Sequence, residues 1–287
     1  MYLFSRRRRT PDAGRRTIVV SCVWILASVL SSCTPRQPVR PPEALTSSGE
    51  SGVPTAEQLL APLRNRQQQT KSVRGLARVT YKDSEEKGSA RQAVAVLAPD
   101  HFRVELFSPI GIAALVTTDG QQLAAYFPKE KTIYRGAASA ENAGRFLRII
   151  LSVSDISSLL LGLPFSLPDE ASSTVRRDTE HDWYVLSAPI DGENRQTLLF
   201  DTRKHRLLKW EVQNTAGAVL ARMALAEYRT VQGQEFPYAI ELTDMQGGQE
   251  AGIYYEQVEL NPVLADTLFT LKPITGVQEV NLDTSSP

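Results

Sequence analysis

From Ser72 onward the chain repeats a period of two. Val73, Ala77, Val79 and Tyr81 alternate with Arg74, Arg78, Thr80 and Lys82, so the apolar side chains share one face of an extended strand. Similar runs follow at residues 91–97, 101–107, 112–118 and 121–127, and again at 183–188, 195–201, 207–213, 219–228, 236–244 and 252–260. Turn-forming residues separate them, among them Pro99-Asp100, Ser108 to Gly111 and Asp119-Gly120, and Asp-Gly between alternating runs is a hairpin signal. About eleven strands of this kind predict a mainly β, α+β domain. Its centre is a single curved antiparallel sheet that forms an unclosed half-barrel.

The alternation is interrupted twice by helical periodicity. Thr55 is an N-cap with Gln58 in the capping-box position, ahead of Leu59, Leu60 and Leu63 on one side. Residues 139–151 and 154–161 form a second helical stretch, ended by Gly162 and Pro164, with Phe146, Ile149, Ile150, Leu159, Leu160 and Leu161 among its apolar load. A curled sheet that does not close needs apolar cover for its inner face, which these helices supply incompletely or a ligand supplies instead. Phe146, Ile150, Leu159, Leu160 and Leu163 are the lid and cavity candidates.

The amino terminus carries Arg6 to Arg9, Arg15 and Arg16, then an uncharged apolar run from Thr17 to Leu30 and the tetrapeptide Leu30-Ser31-Ser32-Cys33. That order is expected of a signal peptide over residues 1–32. The apolar run, about 14 residues, is shorter than the roughly 20 that a helix needs to span a bilayer. Leu30 to Cys33 resembles the bacterial lipobox, which implies lipidation of Cys33 and a durable membrane anchor. Cys22 leaves with the peptide, so Cys33 has no partner for an intramolecular disulfide. Residues 34–54, rich in Pro, Ser and Gly, read as a disordered tether. The globular domain is expected over 55–272 and a C-terminal tail over 273–287.

The whole chain has 32 basic and 32 acidic residues, of which the first 32 positions hold six arginines and one aspartate. The remainder is therefore mildly acidic, with no electrostatic reason to bind nucleic acid. No nucleophile elbow, Walker loop, dinucleotide turn or HExxH pair is present. His101, His181 and His205 fall in or beside polar turns, as do the paired carboxylates Glu85-Glu86 and Asp169-Glu170. No enzyme activity, metal or cofactor is expected from this pattern.

Phe107-Ser108-Pro109-Ile110-Gly111-Ile112 is the unusual segment, because an apolar Ile110 occupies a turn where polar residues are preferred. On physical grounds alone Ile110 either folds back onto the sheet end or stands exposed as a small hydrophobic probe.

The strand opening Val73-Arg74-Gly75, the loop Leu106 to Gly111, the segment Leu159-Leu160-Leu161-Gly162-Leu163-Pro164 and the strand Phe236 to Asp244 occur in an order that resembles the LolB-like outer-membrane lipoprotein receptors. These share the LolA/LolB-type lipoprotein carrier fold. The resemblance spans roughly residues 55–262. It implies an apolar cavity for lipoprotein acyl chains or lipid, a periplasmic LolA-like carrier as partner, and a loop at Pro109, Ile110 and Gly111 that helps insert cargo into the membrane. It also implies a lipid-anchored, periplasm-facing place on the outer membrane, which Thr34 after the lipidated cysteine permits. The alternative is a structural or assembly lipoprotein of the envelope that binds a protein partner.

Overall fold

The structure, a computed structural model, describes residues 52–147 and 151–284. The signal peptide, Cys33 and most of the tether lie outside those residues, as do Ile149 and Ile150.

The first helix, α1 (Ala56–Gln69), starts where the capping box predicts. The Gln58 amide donates to Thr55 Oγ1 at 3.2 Å, and the Thr55 amide donates to Gln58 Oε1 at 2.9 Å. Leu59, Leu60 and Leu63 are buried and fix which side of α1 meets the sheet.

Six strands follow in a meander: β1 (Ser72–Lys82), β2 (Lys87–Leu97), β3 (His101–Ser108), β4 (Gly111–Asp119), β5 (Gln122–Phe127) and β6 (Thr132–Ala137). Two short helices come next, α2 (Ala140–Leu147) and α3 (Val153–Leu160). The second half contributes β7 (Thr174–Asp178), β8 (Trp183–Pro189), β9 (Asn194–Asp201), β10 (Leu207–Asn214), β11 (Val219–Val231), β12 (Gln234–Asp244), β13 (Gln249–Leu260) and β14 (Gln278–Asn281). All fourteen belong to one sheet, in the order β14-β6-β5-β4-β3-β2-β1-β13-β12-β11-β10-β9-β8-β7.

The expectation of a mainly β, unclosed curved sheet with few helices holds, with three corrections. Among the described residues there are fourteen strands rather than about eleven, because β6, β7 and β14 escape the alternation. The last of these lies in the stretch expected to be a tail and pairs in parallel with β6, so the sheet is not wholly antiparallel. The helices are also smaller than a continuous lid: α2 and α3 have eight residues each, and Leu151 is outside either of them.

The two halves are joined at the centre, where β1 pairs antiparallel with β13 across almost the whole chain. Gly75 makes that junction possible. A Cβ at this position would stand 2.4 Å from the carbonyl oxygen of Gln257 and 3.3 Å from the Tyr255 ring, and the register slips by one residue just beyond it, between Leu76 and Ala77.

Because β6 lies next to one edge and β7 forms the other, the connection between them has to cross from one end of the sheet to the other. This forced crossing is what carries α2 and α3 over the apolar face. Val153, Ile156, Leu159, Leu160, Leu161 and Leu163 join Val94, Phe102, Phe200, Met223, Ile240 and Tyr255 in one core cluster.

Candidate functional site

The β3–β4 hairpin exposes three large hydrophobic side chains at its tip. Ser108 pairs with Gly111 across a two-residue loop, Pro109-Ile110, and the Ser108 hydroxyl donates to the Gly111 carbonyl at 2.9 Å. Gly111 takes φ +124°, with nothing within 4 Å of where a Cβ would sit. Ile110 is 98% exposed, so of the two dispositions open to it the fold selects the outward one. Phe107 and Ile112 face each other across the strands and are 38% and 41% exposed. The alternation does not predict their partial exposure, since it assigns both only to strands. The register slip between Leu106 and Phe107 is the local reason, because it interrupts the regular alternation of faces at the hairpin's end.

The lid candidates have a different environment. Leu159, Leu160 and Leu163 are only 4–5% exposed and pack into the core. Phe146 is half-buried at the edge of the same cluster, its ring 5.9 Å from that of Phe127 and 5.5 Å from that of Tyr134. Ile150 lies outside the described residues. The four described candidates therefore join one apolar cluster, whose side chains fill the space between helices and sheet.

Three bonds hold the end of α3 in this position. Its last turn closes as a Schellman motif, with Leu163 N donating to Ser158 O at 2.9 Å and Gly162 N to Leu159 O at 3.0 Å, while Gly162 takes φ +64°. From the sheet side, the buried Tyr255 hydroxyl donates to the Leu160 carbonyl at 2.6 Å. Burial among apolar groups raises the Tyr255 pKa, which keeps the phenol protonated as that donor.

Cavities open elsewhere. One of about 530 Å³ lies between the ends of β1–β2 and β12–β13, lined by Tyr81, Lys82, Lys87, Glu241, Glu250 and Tyr254. Another, of about 480 Å³, lies between α1, the β9–β10 turn and the β11–β12 turn. Its wall includes Arg66 and Tyr228, neither of which the sequence singled out. Burial lowers the Arg66 pKa and raises that of Tyr228, and each opposes the other's shift. Arg66 was legible in one respect: it follows Leu59 and Leu63 at helical spacing, which places it on the stripe α1 buries.

Two of the three histidines sit beside carboxylates near the surface, with His101 Nδ1 2.8 Å from Asp100 and His181 Nδ1 3.2 Å from Asp178, while the His205 ring lies edge-on to Tyr184. Among the described residues, no group of three His, Cys, Asp or Glu side chains could hold a metal, and no helix is long and apolar enough to cross a membrane.

A family model described as "uncharacterized protein" matches residues 110–275. No curated protein matches the chain. Among solved structures, the chain is similar to a domain from Vibrio parahaemolyticus described as an outer membrane lipoprotein-sorting protein. They share 18% identity, with 75% of this chain and 97% of that one covered and a TM-score of 0.51. It is also similar to a DUF1329 family protein from Desulfovibrio piger, at 14% identity, with 75% and 97% covered and a TM-score of 0.52. A LolA superfamily protein from Nitrosomonas europaea aligns at 17% identity over 76% and 98%, with a TM-score of 0.49.

Proposed function

We infer the function of this chain from its kinship: it belongs to the uncharacterized-protein family whose model spans residues 110–275, and its fold is the LolA/LolB-type lipoprotein carrier fold. Our reading is an outer-membrane lipoprotein, anchored through Cys33 and facing the periplasm. It binds the acyl chains of lipoproteins, or lipid, and helps insert them into the membrane without making or breaking a covalent bond. A LolA-like periplasmic carrier would hand over the cargo. The observation that carries the reading is the hairpin tip, where Ile110 stands 98% exposed between Phe107 and Ile112.

Magnitudes support a transient role for that tip. Burying one fully exposed Ile and the exposed parts of Phe107 and Ile112 is worth roughly 3–5 kcal/mol, at about 1.5–3 kcal/mol for a whole large apolar side chain. A single acyl chain of modest length gives only marginal, reversible membrane attachment. The tip can touch and perturb a bilayer but cannot hold the protein there, and the lipid on Cys33 supplies the durable attachment. In this reading Phe146, Ile150, Leu159, Leu160 and Leu163 form the lid and line the acyl-chain site. The packing of Phe146, Leu159, Leu160 and Leu163 against the core describes a closed state in this reading, so cargo enters by displacing α3.

The test is delivery of a fluorescent lipopeptide from a carrier into liposomes by the full chain and its Ile110→Glu variant. A fully exposed side chain contributes little to folding, so stability should change by no more than about 0.5 kcal/mol. Delivery should fall at least tenfold. Unimpaired delivery by a folded variant would sink the assigned role of the tip.

The filled space under α3 also favours a second reading, an envelope assembly lipoprotein that uses the tip to bind a protein partner. Co-purification of a stoichiometric partner, with no acyl chain extractable from the protein, would favour it.

A further inference from the structure

Four buried side-chain polar atoms among the described residues have no hydrogen-bond partner, and two of them belong to one guanidinium, Nε and Nη2 of Arg66. These atoms form the side edge of the guanidinium, the fork that elsewhere in this chain grips carboxylates. Arg74 uses both to hold Glu259, and Arg206 uses both to hold Glu235. In Arg66, which faces Tyr228, neither of the two atoms meets a protein acceptor. A buried guanidinium without an anion is costly by several kcal/mol, so an arrangement of this kind points to a missing partner.

The surroundings favour an anion of more than one charge. Arg66 lines the cavity of about 480 Å³ together with Tyr228, Lys204, Arg206, Gln234 and Glu235. Three cations thus face one carboxylate, and that carboxylate is already engaged by Lys204 and Arg206. Nη2 of Arg66 also lies 3.5 Å from where a Cβ of Gly162 would stand, so the fork abuts the residue that ends α3.

We propose that Arg66 is the anchor of an oxyanion site in this cavity, between α1, the β9–β10 turn and the start of β12, which takes a phosphate group through a bidentate contact to Nε and Nη2. The phosphate is either free or carried by a lipid headgroup. The site does not depend on the lipid-delivery reading: Nε and Nη2 of Arg66 lack a protein acceptor whatever the hairpin tip does.

The experiment measures binding to the full chain in non-ionic detergent at low ionic strength, with inorganic phosphate in one arm and short-chain phosphatidylglycerol in the other. Calorimetry gives affinity, and thermal unfolding gives the accompanying rise in Tm. Binding in the phosphate arm assigns a free-anion site, and binding in the phosphatidylglycerol arm alone assigns a headgroup site. Both support the proposal if Arg66→Met loses at least tenfold in affinity and the ligand-induced rise in Tm. Arg66→Lys keeps the charge without the fork, and it should also lose most of the affinity; it decides the matter if Arg66→Met does not fold. No binding in either arm overturns the proposal, and so does binding that a folded variant retains at wild-type strength. Neither failure bears on delivery by the hairpin tip, which is read in a separate assay.

Discussion

Individual residues show how differently the chain spends its polar and apolar groups. The Arg206–Glu235 pair, joined through both oxygens of the carboxylate, sits at the mouth of the cavity that holds Arg66. The hydrogen bond from Arg206 holds the Glu235 carboxyl below its ordinary range against a smaller effect of burial, and a weaker hydrogen bond from Lys204 acts in the same direction as Arg206. The folded state therefore favours the ionised form. Its contribution is fully present above the pKa of Glu235 in the unfolded chain and is lost as the pH falls through the lower, folded value. The pair is about one-third exposed, which limits that contribution to about 1 kcal/mol or less. Urea unfolding of Glu235→Gln should accordingly show a loss of that size at pH 7 and a smaller one near pH 3. An equal loss at both would mean that the charge is not what stabilises. Gly162 belongs to the same scale: its positive φ is combined with a Cβ position 2.7 Å from Pro237 Cγ, so Gly162→Ala meets both backbone strain and a clash.

At the scale of elements, α3 is the part whose stability decides whether the apolar space under it can open. Eight residues make too short a helix to persist by itself, so its order comes from packing and from bonds made by its neighbours. Tyr255 supplies one such bond from the sheet. Tyr255→Phe leaves the Leu160 carbonyl without its donor and should cost about 1–3 kcal/mol. Hydrogen exchange should accelerate at α3 more than at β12 or β13; uniform acceleration would show that α3 does not open separately. Leu160→Ala removes packing rather than a polar contact and should cost about 2–5 kcal/mol. Under the lipid-delivery reading both changes should ease lipopeptide uptake, which fluorescence of the bound probe can measure.

At the scale of the whole molecule, the open sheet has two edges, and they are protected unequally. On one side β7 carries Arg176 and Arg177, charges of the kind that discourage edge-to-edge pairing. On the other, β14 lies parallel along β6, with Leu282 buried just after it and Asp283 accepting from the Ala137 amide and from Asn142 Nδ2. Ending the chain after Lys272 would uncover β6 and remove the Leu282 contact. The expected loss is about 1.5–3 kcal/mol from that side chain alone. Light scattering should also detect self-association through the freed β6 edge; a truncated chain as stable and monomeric as the intact one would show that β14 does not protect it.

Much of this architecture was legible in advance because it rests on local patterns. The central strands are half-buried, so their side chains must alternate, and β1 to β5 and β8 to β13 were all read from that alternation. The capping box at Thr55 and the stop at Gly162 are equally local. β6, β7 and β14 were not legible, since Thr174–Asp178 and Gln278–Asn281 each carry a single large apolar residue. Their place in the sheet comes from backbone hydrogen bonds to partners, and no side-chain pattern records those. The odd apolar turn at Ile110 was visible in the sequence, but its direction was not, because both folding back and standing out satisfy the same residues. Only the position of the hairpin in three dimensions chose between them. Arg66 marks the same boundary: helical spacing placed it on the buried stripe, but that its fork lacks a carboxylate depends on residues far away in sequence. Periodicity and caps are properties of neighbours along the chain, whereas edges, exposure and unmet hydrogen bonds are properties of neighbours in space.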